Sequence, residues 1–278
     1  MPTIAQLLKR ADELASVSDT PRLDIEVLLC HFLQRDRSYL YTWPERCLSE
    51  QQQADFEAGL DRRKRGEPVA HIVGEREFWS LPLVVNASTL IPRPETELLV
   101  ELALDLPLSA HAQVLDLGTG TGAIALALAS ERQDWQVDAV DVVDEAVALA
   151  EHNRERLGLN NLRVWQSNWF EHVPENSYHL IVSNPPYIDP KDAHLQQGDV
   201  RFEPSSALVA DEEGLADIRA IVTTAANYLH RDGWLLLEHG YDQGAAVRNL
   251  LVNDGFQTVQ TRQDLAGNDR VTLGRYPC

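Results

Sequence analysis

The sequence predicts a doubly wound α/β fold with a mainly parallel sheet of seven strands, preceded by a small helical domain and a β-hairpin. Three observations support this fold class. From about residue 96 onward, short apolar segments alternate with segments of helical periodicity, as expected of parallel strands joined by helices. A glycine-rich run follows the first of these strands and leads into a helix. Residues 3–66, in contrast, carry apolar residues at helical spacing only.

The N-terminal helices are indicated by apolar residues that lie three or four positions apart. One set spans residues 4–14 and another follows Pro21. A third helix is predicted from its N-cap, Ser49, to Arg65. The basic run at residues 62–65 ends this helix, where cations suit the helix dipole, so we expect a solvated face there rather than a nucleic-acid patch.

These patterns divide the chain into three parts. We expect a helical, substrate-docking domain over residues 1–68, a β-hairpin linker over residues 69–88 and a catalytic domain over residues 89–278. Predicted strands lie at residues 113–117, 136–140, 162–166, 179–183 and 234–238 and near 258 and 271, and predicted helices at 123–131, 144–157, 215–229 and 244–253. Ligands of such a sheet bind at the carboxyl ends of its strands, near the topological switch point.

Composition and charge exclude several classes of protein. The 43 acidic and 24 basic residues give a net charge of −19, and the part after Asn86 contributes −16 of it. A surface this negative repels phosphate backbones, which disfavours a nucleic-acid substrate. Cys30, Cys47 and Cys278 are scattered and form no C-x-x-C motif, so neither a disulfide framework nor a zinc site is predicted. Without a signal peptide or a long apolar run, we expect a cytoplasmic protein with no membrane anchor.

The glycine-rich run predicts a site for a nucleoside cofactor. It comprises Gly118, Thr119, Gly120, Thr121 and Gly122. Glycine tolerates positive φ and lets the backbone approach a ligand closely. The run and the alanine that follows it also satisfy the dinucleotide fingerprint, so the run alone does not separate S-adenosylmethionine from NAD, and a tight turn without a ligand remains possible.

Acidic residues near the run help to choose among cofactors. Asp116, just before it, favours S-adenosylmethionine, whose sulfonium and amino groups are cationic. The candidates for binding the ribose of the cofactor are Asp138, Asp141 and Asp144. Asp144 is better explained as a helix N-cap, whereas Asp141 lies at a strand tip 21 residues past Gly120 and is the best candidate.

A further cofactor contact is expected after the third strand. Asn168 offers an amide that can read the adenine edge, and Trp169 offers an indole that can pack beside the ring. Burial of Trp169 in the core is an equally good explanation from composition alone.

The segment Asn184-Pro185-Pro186-Tyr187 predicts a rigid turn directly after a buried strand. Two successive prolines fix φ and supply no N–H, so the carbonyls of Asn184 and Pro185 stay free as acceptors. A planar NH₂ group could donate to the Asn184 side-chain oxygen and the Pro185 carbonyl, with Tyr187 against its π-system. The turn therefore indicates a holder for an amino nitrogen, although a simple strand terminator would use the same residues.

The segments described so far resemble the class I S-adenosylmethionine-dependent methyltransferases that modify amino nitrogens. Residues 90–97, 182–188 and 200–208, together with the helical N-terminal domain, are similar to bacterial peptide chain release factor N5-glutamine methyltransferases. The resemblance implies a Rossmann-like fold, S-adenosylmethionine as cofactor and S-adenosylhomocysteine as product. It also implies a class I release factor as partner, methylated on the glutamine of its Gly-Gly-Gln loop.

The resemblance also implies roles for individual residues. Gly118, Thr119, Gly120, Thr121 and Gly122 would hold the methionine part of the cofactor. Asp141 would bind its ribose and Trp169 would lie near its adenine. Asn184, Pro185, Pro186 and Tyr187 would hold the target glutamine, with Asn184 also near the cofactor. Asn168 stands where an aspartate is expected, but its amide oxygen can still accept from the adenine amine.

Some groups have no expected role in the reaction. His179 and His239 are expected to be structural, and no metal ligand set is present in the sequence. The resemblance leaves the roles of residues 90–97 and 200–208 open. The protein is expected to act as a monomer.

Two other functional classes stay open from the sequence. An adenine-N6 methyltransferase of DNA or RNA would use the same turn, because a flipped base could stack on Tyr187. The charge of −16 after Asn86 argues against it. A Rossmann oxidoreductase would keep the glycine-rich run but has no need of the Pro-Pro turn.

Overall fold

The computed structural model describes residues 1–175 and 178–277, so Cys278 lies outside the described residues. The chain forms two compact units. One unit is Met1–Glu75 with Ala193–Phe202, and the other is Arg76–Asp192 with the chain from Glu203 onward. No helix in the described part of the chain is long and apolar enough to cross a membrane.

The first unit is helical, as predicted. Its α-helices are α1 (Ile4–Leu8), α2 (Pro21–Leu33), α3 (Arg37–Thr42), α4 (Glu50–Lys64) and α5 (Val69–Val73). Their apolar faces meet in one core that includes Ile4, Leu28 and Phe56. Ser49 caps α4 as predicted, because its hydroxyl accepts from the backbone N–H of Gln52 while the Gln52 side chain accepts from the Ser49 N–H.

The basic run at the end of α4 contains a buried ion-pair centre, so the expectation of a solvated face is wrong for Arg63. This side chain is 4% exposed and donates to Asp24 at 2.6 Å and to Asp199 at 2.8 Å. Its remaining N–H groups donate to backbone carbonyls, including those of Val17 and Gly66. A buried guanidinium must be paired in this way, because leaving it unpaired costs several kcal/mol.

The β-hairpin exists but is shorter than predicted. Residues 69–73 form α5, which ends at Gly74 with φ +76°, where a hairpin strand was expected. Strands β1 (Glu75–Phe78) and β2 (Leu81–Val84) are joined through Trp79 and Ser80, whose φ angles are +52° and +60°. Two positive φ values match the right-handed twist of a tight hairpin.

The second unit contains a seven-stranded sheet in the order β5-β4-β3-β6-β7-β9-β8, which confirms the predicted α/β fold. Strands β3 to β7 run parallel, and β9 runs antiparallel to both β7 and β8. The strands are β3 (Gln113–Leu117), β4 (Gln136–Asp141), β5 (Leu162–Gln166), β6 (Tyr178–Ser183), β7 (Leu229–Glu238), β8 (Gln257–Gln263) and β9 (Asp269–Arg275). Because β3 pairs with β4 on one side and β6 on the other, the switch point lies at the end of β3.

Helices cover both faces of the sheet. They are α6 (Glu97–Asp105), α7 (Ala123–Glu131), α8 (Asp144–Leu157), the short α9 (Asp211–Gly214), α10 (Ala216–Ala225) and α11 (Gly244–Asn253). Two apolar clusters, one on each face, include Leu126 and Leu180 on one side and Ile181 and Ile221 on the other. The alternation along β6 shows a strand buried on both faces, as in other parallel sheets.

The predicted end of the helix at residues 215–229 and the predicted start of the strand at residues 234–238 are both wrong. A helix was expected over residues 215–229, but α10 ends at Ala225 and Leu229 already begins β7. Leu229 pairs with Tyr178 of β6. The spacing of Leu229 fits both the preceding helix and a strand, and its pairing with a neighbouring strand in the folded protein decides for the strand.

Candidate active site

A cavity of about 260 Å³ opens at the carboxyl ends of β3, β4 and β6, near the switch point. This volume is just below the roughly 300–1,000 Å³ of typical small-molecule sites. Its lining comes from the glycine-rich run, from residues around the ends of β4, β5 and β6, and from parts of residues 88–96 and 206–217. The structure therefore brings the glycine-rich run and the Asn-Pro-Pro turn to one cavity.

The glycine-rich run needs glycine because three of its residues are left-handed. Gly118, Gly120 and Gly122 have φ of +69°, +56° and +85°. A Cβ on Gly118 would lie 3.3 Å from the Trp169 ring, and one on Gly122 would lie 2.9 Å from Leu126. Gly118, Thr119, Gly120 and Thr121 line the cavity, whereas Gly122 supports the close packing of the helix that follows.

Asp116 lies beneath the run rather than on the cavity wall. It is fully buried, and one carboxyl oxygen accepts the Thr119 hydroxyl hydrogen at 2.6 Å. The other oxygen, Oδ1, has no side-chain hydrogen-bond partner within the described residues. Burial raises the pKa of Asp116 to about 7, partly offset by the Thr119 hydrogen bond. The carboxyl therefore fixes the run from below.

Of the three aspartates that are candidates for binding the ribose, one lines the cavity. Asp141 lines the cavity, and its two oxygens accept the backbone N–H groups of Gly120 at 2.9 Å and Val143 at 3.0 Å. Asp138 is buried and bonded to Arg163 and Tyr178, so it is structural. Asp144 is the first residue of α8 and not its N-cap, since Val143 occupies the cap position.

The residues after β5 reach the cavity as expected. Asn168 and Trp169 both line it, and Trp169 also packs against the core. The expected burial of this indole is therefore confirmed, whereas its contact with an adenine stays a prediction. Trp169 has φ +47°. Ser167 supports this conformation, because its hydroxyl donates to the Trp169 carbonyl at 2.9 Å.

The Asn-Pro-Pro-Tyr turn divides its residues between the cavity and the protein interior. Asn184 and Pro186 line the cavity, whereas Pro185 is buried. Tyr187 is not among the lining residues. Its hydroxyl donates to Glu238 at 3.4 Å, and its carbonyl accepts from Gln243 at 3.0 Å. Burial and the nearby Glu238 carboxyl raise the pKa of Tyr187, so the phenol stays protonated.

Residues 90–97 and 200–208, whose roles the sequence leaves open, are joined in the structure. Glu203 accepts the backbone N–H of Ile91 at 2.9 Å and forms an ion pair with Arg93. This bond holds one wall of the cavity, because Arg93 and Thr96 line it on one segment and Ser206 on the other. Arg93 and Glu203 are 110 residues apart. Their pairing follows no helical or strand period, so the sequence pattern could not predict it.

Neither His179 nor His239 lines the cavity. The ring nitrogen of His179 accepts the Gln113 backbone N–H at 3.0 Å. His239 is buried and bonded to the Thr272 hydroxyl and the Gly240 carbonyl. Burial lowers the pKa of both imidazoles, which keeps them neutral. Within residues 1–175 and 178–277, no group of His, Cys, Asp or Glu side chains could hold a metal ion.

Two segments of the chain match known protein families, and a solved structure shares its fold. Residues 6–74 match the family model described as PrmC N-terminal domain, and residues 93–211 match the methyltransferase small domain. A solved methyltransferase from Pyrococcus furiosus shares the fold, with a TM-score of 0.56 and 17% sequence identity, over 83% of this chain and 100% of its own.

Relatives that match nearly the whole chain identify its family more closely. The release factor glutamine methyltransferase of Vibrio cholerae is 57% identical over 99% of this chain and 97% of its own length, and that of Pseudomonas aeruginosa is 56% identical over 100% of both. The enzyme of the same name from Escherichia coli is 51% identical over 97% of each chain. These matches confirm the resemblance drawn from the sequence. The chain belongs to the release factor glutamine methyltransferase family, a family of protein-glutamine methyltransferases.

Proposed function

We propose that this enzyme transfers a methyl group from S-adenosylmethionine to the side-chain amide nitrogen, N5, of the glutamine in the Gly-Gly-Gln motif of class I peptide chain release factors. The observation that carries the proposal is the shared cavity, lined on one side by the glycine-rich run with Asp141 and on another by Asn184. The name of the relatives supports a release factor glutamine as the acceptor.

The residues present fit S-adenosylmethionine. The left-handed backbone at Gly118 and Gly120 leaves room that a side chain would fill. Each Asp141 oxygen accepts one backbone N–H and keeps lone-pair capacity for a ribose hydroxyl. The buried Thr89 hydroxyl borders the cavity without a hydrogen-bond partner within the described residues, so a polar ligand atom would satisfy it. Asn168 and Trp169 line the same cavity and would hold the adenine.

The bound cofactor supplies an electrophilic methyl group on a sulfonium. An amide nitrogen is a poor nucleophile, because its lone pair is delocalised into the carbonyl. In our proposal, the Asn184 side-chain oxygen and the Pro185 carbonyl accept its two N–H groups. These acceptors orient the nitrogen and stabilise the positive charge that grows on it as the new C–N bond forms and the S–C bond breaks. S-adenosylhomocysteine would be the leaving group, and the methylated nitrogen, now strongly acidic, would lose one proton to water without a catalytic base. Pro186 keeps the turn rigid, and Tyr187 anchors it through Glu238 and Gln243.

The decisive experiment is to incubate the enzyme with methyl-labelled S-adenosylmethionine and a purified class I release factor. We expect label on the glutamine amide of the Gly-Gly-Gln loop and none when that glutamine is replaced by glutamate. DNA and RNA should remain unlabelled, because the catalytic part carries a charge of −16. Label on adenine together with an unlabelled release factor would overturn the assignment in favour of a nucleic-acid methyltransferase.

We further propose that residues 1–68 dock the folded substrate. Tyr41 and Trp43 are large aromatic side chains that are about half exposed in this unit. Remote contacts of this kind orient a substrate without touching the reacting atoms. Trp43→Ala should therefore raise KM for the intact release factor while leaving the rate on a short Gly-Gly-Gln peptide unchanged. An equal effect on both substrates would show that residues 1–68 stabilise the fold of the enzyme and do not dock the release factor.

A further inference from the structure

The peptide that leaves the Asn-Pro-Pro-Tyr turn, between Tyr187 and Ile188, is held on both of its edges. Its carbonyl, that of Tyr187, accepts from Gln243 Nε2 at 3.0 Å. Its N–H, that of Ile188, donates to the carbonyl of Leu208 at 2.9 Å. Because the peptide is planar, it cannot rotate without breaking one of these two bonds. The two prolines before it have a fixed φ, so few torsions separate this peptide from the Pro185 carbonyl.

The side chain of Gln243 makes three hydrogen bonds to backbone groups of three different segments. Its Oε1 atom accepts the N–H of Gly240 at 2.8 Å. Its Nε2 atom donates to the carbonyls of Tyr187 and Glu213, at 3.0 Å each. A backbone N–H only donates and a carbonyl only accepts, so these partners leave one possible orientation of the amide. The Gln243 N–H also donates to the Gly240 carbonyl at 3.0 Å, and this reciprocal pair holds the side chain in place independently of the turn.

Three consecutive left-handed residues bring the second carbonyl partner of Gln243 into position. Glu212, Glu213 and Gly214 have φ of +55°, +57° and +81°. This conformation is disfavoured for a residue with a Cβ, and such strain persists where the surrounding structure fixes it, often at functional sites. At Gly214, a Cβ would lie 2.0 Å from the Tyr187 oxygen and 2.7 Å from Gln243 Nε2. The strained segment therefore approaches the turn so closely that only glycine fits, at the same atoms that Gln243 joins.

Gln243 connects two parts of the cavity wall, although it is not itself among the lining residues. Asn184 and Pro186 of the turn line the cavity. So does Asp217, which lies in the first turn of α10, just after the strained segment. The bonds from Gln243 to the turn and to the strained segment therefore set the separation between the turn and the start of α10.

We propose that Gln243 and Gly214 are positioning residues for methyl transfer, which fix the Asn-Pro-Pro-Tyr turn so that its two acceptors face the target nitrogen. This inference rests on the proposed function, because it takes Asn184 and Pro185 as the acceptors for the glutamine N–H groups. Gln243 acts through the Tyr187 carbonyl and does not contact the reacting atoms. Its loss should therefore slow the chemical step and leave the cofactor site intact.

The test removes the donor of Gln243 while keeping the shape of its side chain. In Gln243→Glu an oxygen replaces the NH₂ group, so the carbonyls of Tyr187 and Glu213 face an acceptor and the peptide loses one of its two anchors. We expect kcat on the release factor to fall about 10- to 100-fold, because a misplacement of about 1 Å can cost about 10²-fold in rate. Kd for S-adenosylmethionine should stay close to that of the wild type, since the glycine-rich run and Asp141 are unchanged.

Two further variants test the same contact in other ways. Gly214→Ala displaces the turn from the opposite side, because the new Cβ would meet the Tyr187 oxygen, and it should lower kcat over the same range. Gln243→Leu removes the hydrogen bonds without adding a charge, and it carries the same expectation if Gln243→Glu does not fold. Thermal melting of each variant shows that the protein assayed is folded.

Asn161→Asp is the matched control, because it makes the same chemical change at another amide that joins backbone segments. The Asn161 NH₂ group donates to the carbonyls of Ala129, Arg132 and Trp135. These residues lie near the amino ends of β4 and β5, whereas the cavity opens at the carboxyl ends of the strands. Asn161→Asp should lower the melting temperature and leave kcat unchanged.

Unchanged kcat in folded Gln243→Glu and Gly214→Ala, beside an active wild type, would overturn the inference. An equal loss of kcat in Asn161→Asp would overturn it as well, because general destabilisation would then explain the effect. So would weaker cofactor binding at unchanged kcat, since Gln243 would then support the cofactor site and not the turn.

A second measurement does not depend on activity. The backbone N–H of Ile188 belongs to the same peptide as the Tyr187 carbonyl, so its hydrogen exchange with solvent reports whether that peptide is held. We expect exchange about tenfold faster in Gln243→Glu than in the wild type or Asn161→Asp, the factor for the loss of one ordinary hydrogen bond. Equal rates in all three proteins would show that Gln243 does not hold the peptide, whatever the substrate is. Faster exchange in Gln243→Glu, beside a wild type that does not label a release factor, would instead refute the proposed function alone.

Discussion

Replacing Asp141 by alanine should weaken binding of S-adenosylmethionine about 10- to 150-fold. In the structure, the Asp141 oxygens accept the N–H groups of Gly120 and Val143 at 2.9 and 3.0 Å, which leaves further lone pairs for a ribose hydroxyl. A hydrogen bond to a charged group contributes roughly 1.5–3 kcal/mol, and this range corresponds to the stated loss of affinity. The N–H of Gly120 would also lose its acceptor, so the lower end of the range is a minimum.

Calorimetric titration with S-adenosylmethionine measures this effect directly. Asp141→Asn should be nearly as weak a binder as the alanine variant, because its NH₂ group must face one of the two backbone N–H donors. Asp144→Ala is the control, since Asp144 is exposed at the first position of α8 and does not line the cavity. A folded Asp141→Ala protein with wild-type affinity, or an equal loss in Asp144→Ala, would refute the assignment of the ribose site to Asp141. Urea unfolding of each variant shows whether the fold is retained.

Three further predictions concern catalysis, stability and pH. Asn184→Ala should lower the methylation rate about 10²–10³-fold with a much smaller change in cofactor Kd, and near-normal turnover would exclude its role as acceptor. Arg63→Met should cost about 3–5 kcal/mol of unfolding free energy in urea, because it leaves Asp24 buried and unpaired, whereas Arg62→Met, at a more exposed pair, should cost less than about 1 kcal/mol. Burial raises the pKa of Asp116 from 3.8 to about 7, so the folded state holds its proton more tightly and stability falls as the pH rises between these values. Relative to Asp116→Asn, the wild type should therefore lose up to about 4 kcal/mol between pH 4 and pH 8, and parallel pH profiles would contradict this.

The sequence by itself determined the features that depend on neighbouring residues. Alternating apolar segments predicted the sheet and its helices, and Ser49 predicted the start of α4. The glycine-rich run and the double proline predicted two special turns, because positive φ and missing N–H groups are properties of single residues. Since parallel strands end at a common edge, these turns could also be expected to meet at one cavity.

Only the tertiary structure decided which side chains that are far apart in the sequence pair with each other. Thr96 lies 88 residues from Asn184, and Asp199 lies 136 residues from Arg63. Neither pair follows a helical or strand period, so no local pattern announces it. The order of the strands and the burial of these groups determine the pairs, because a polar group removed from water must take whatever partner the fold places within reach.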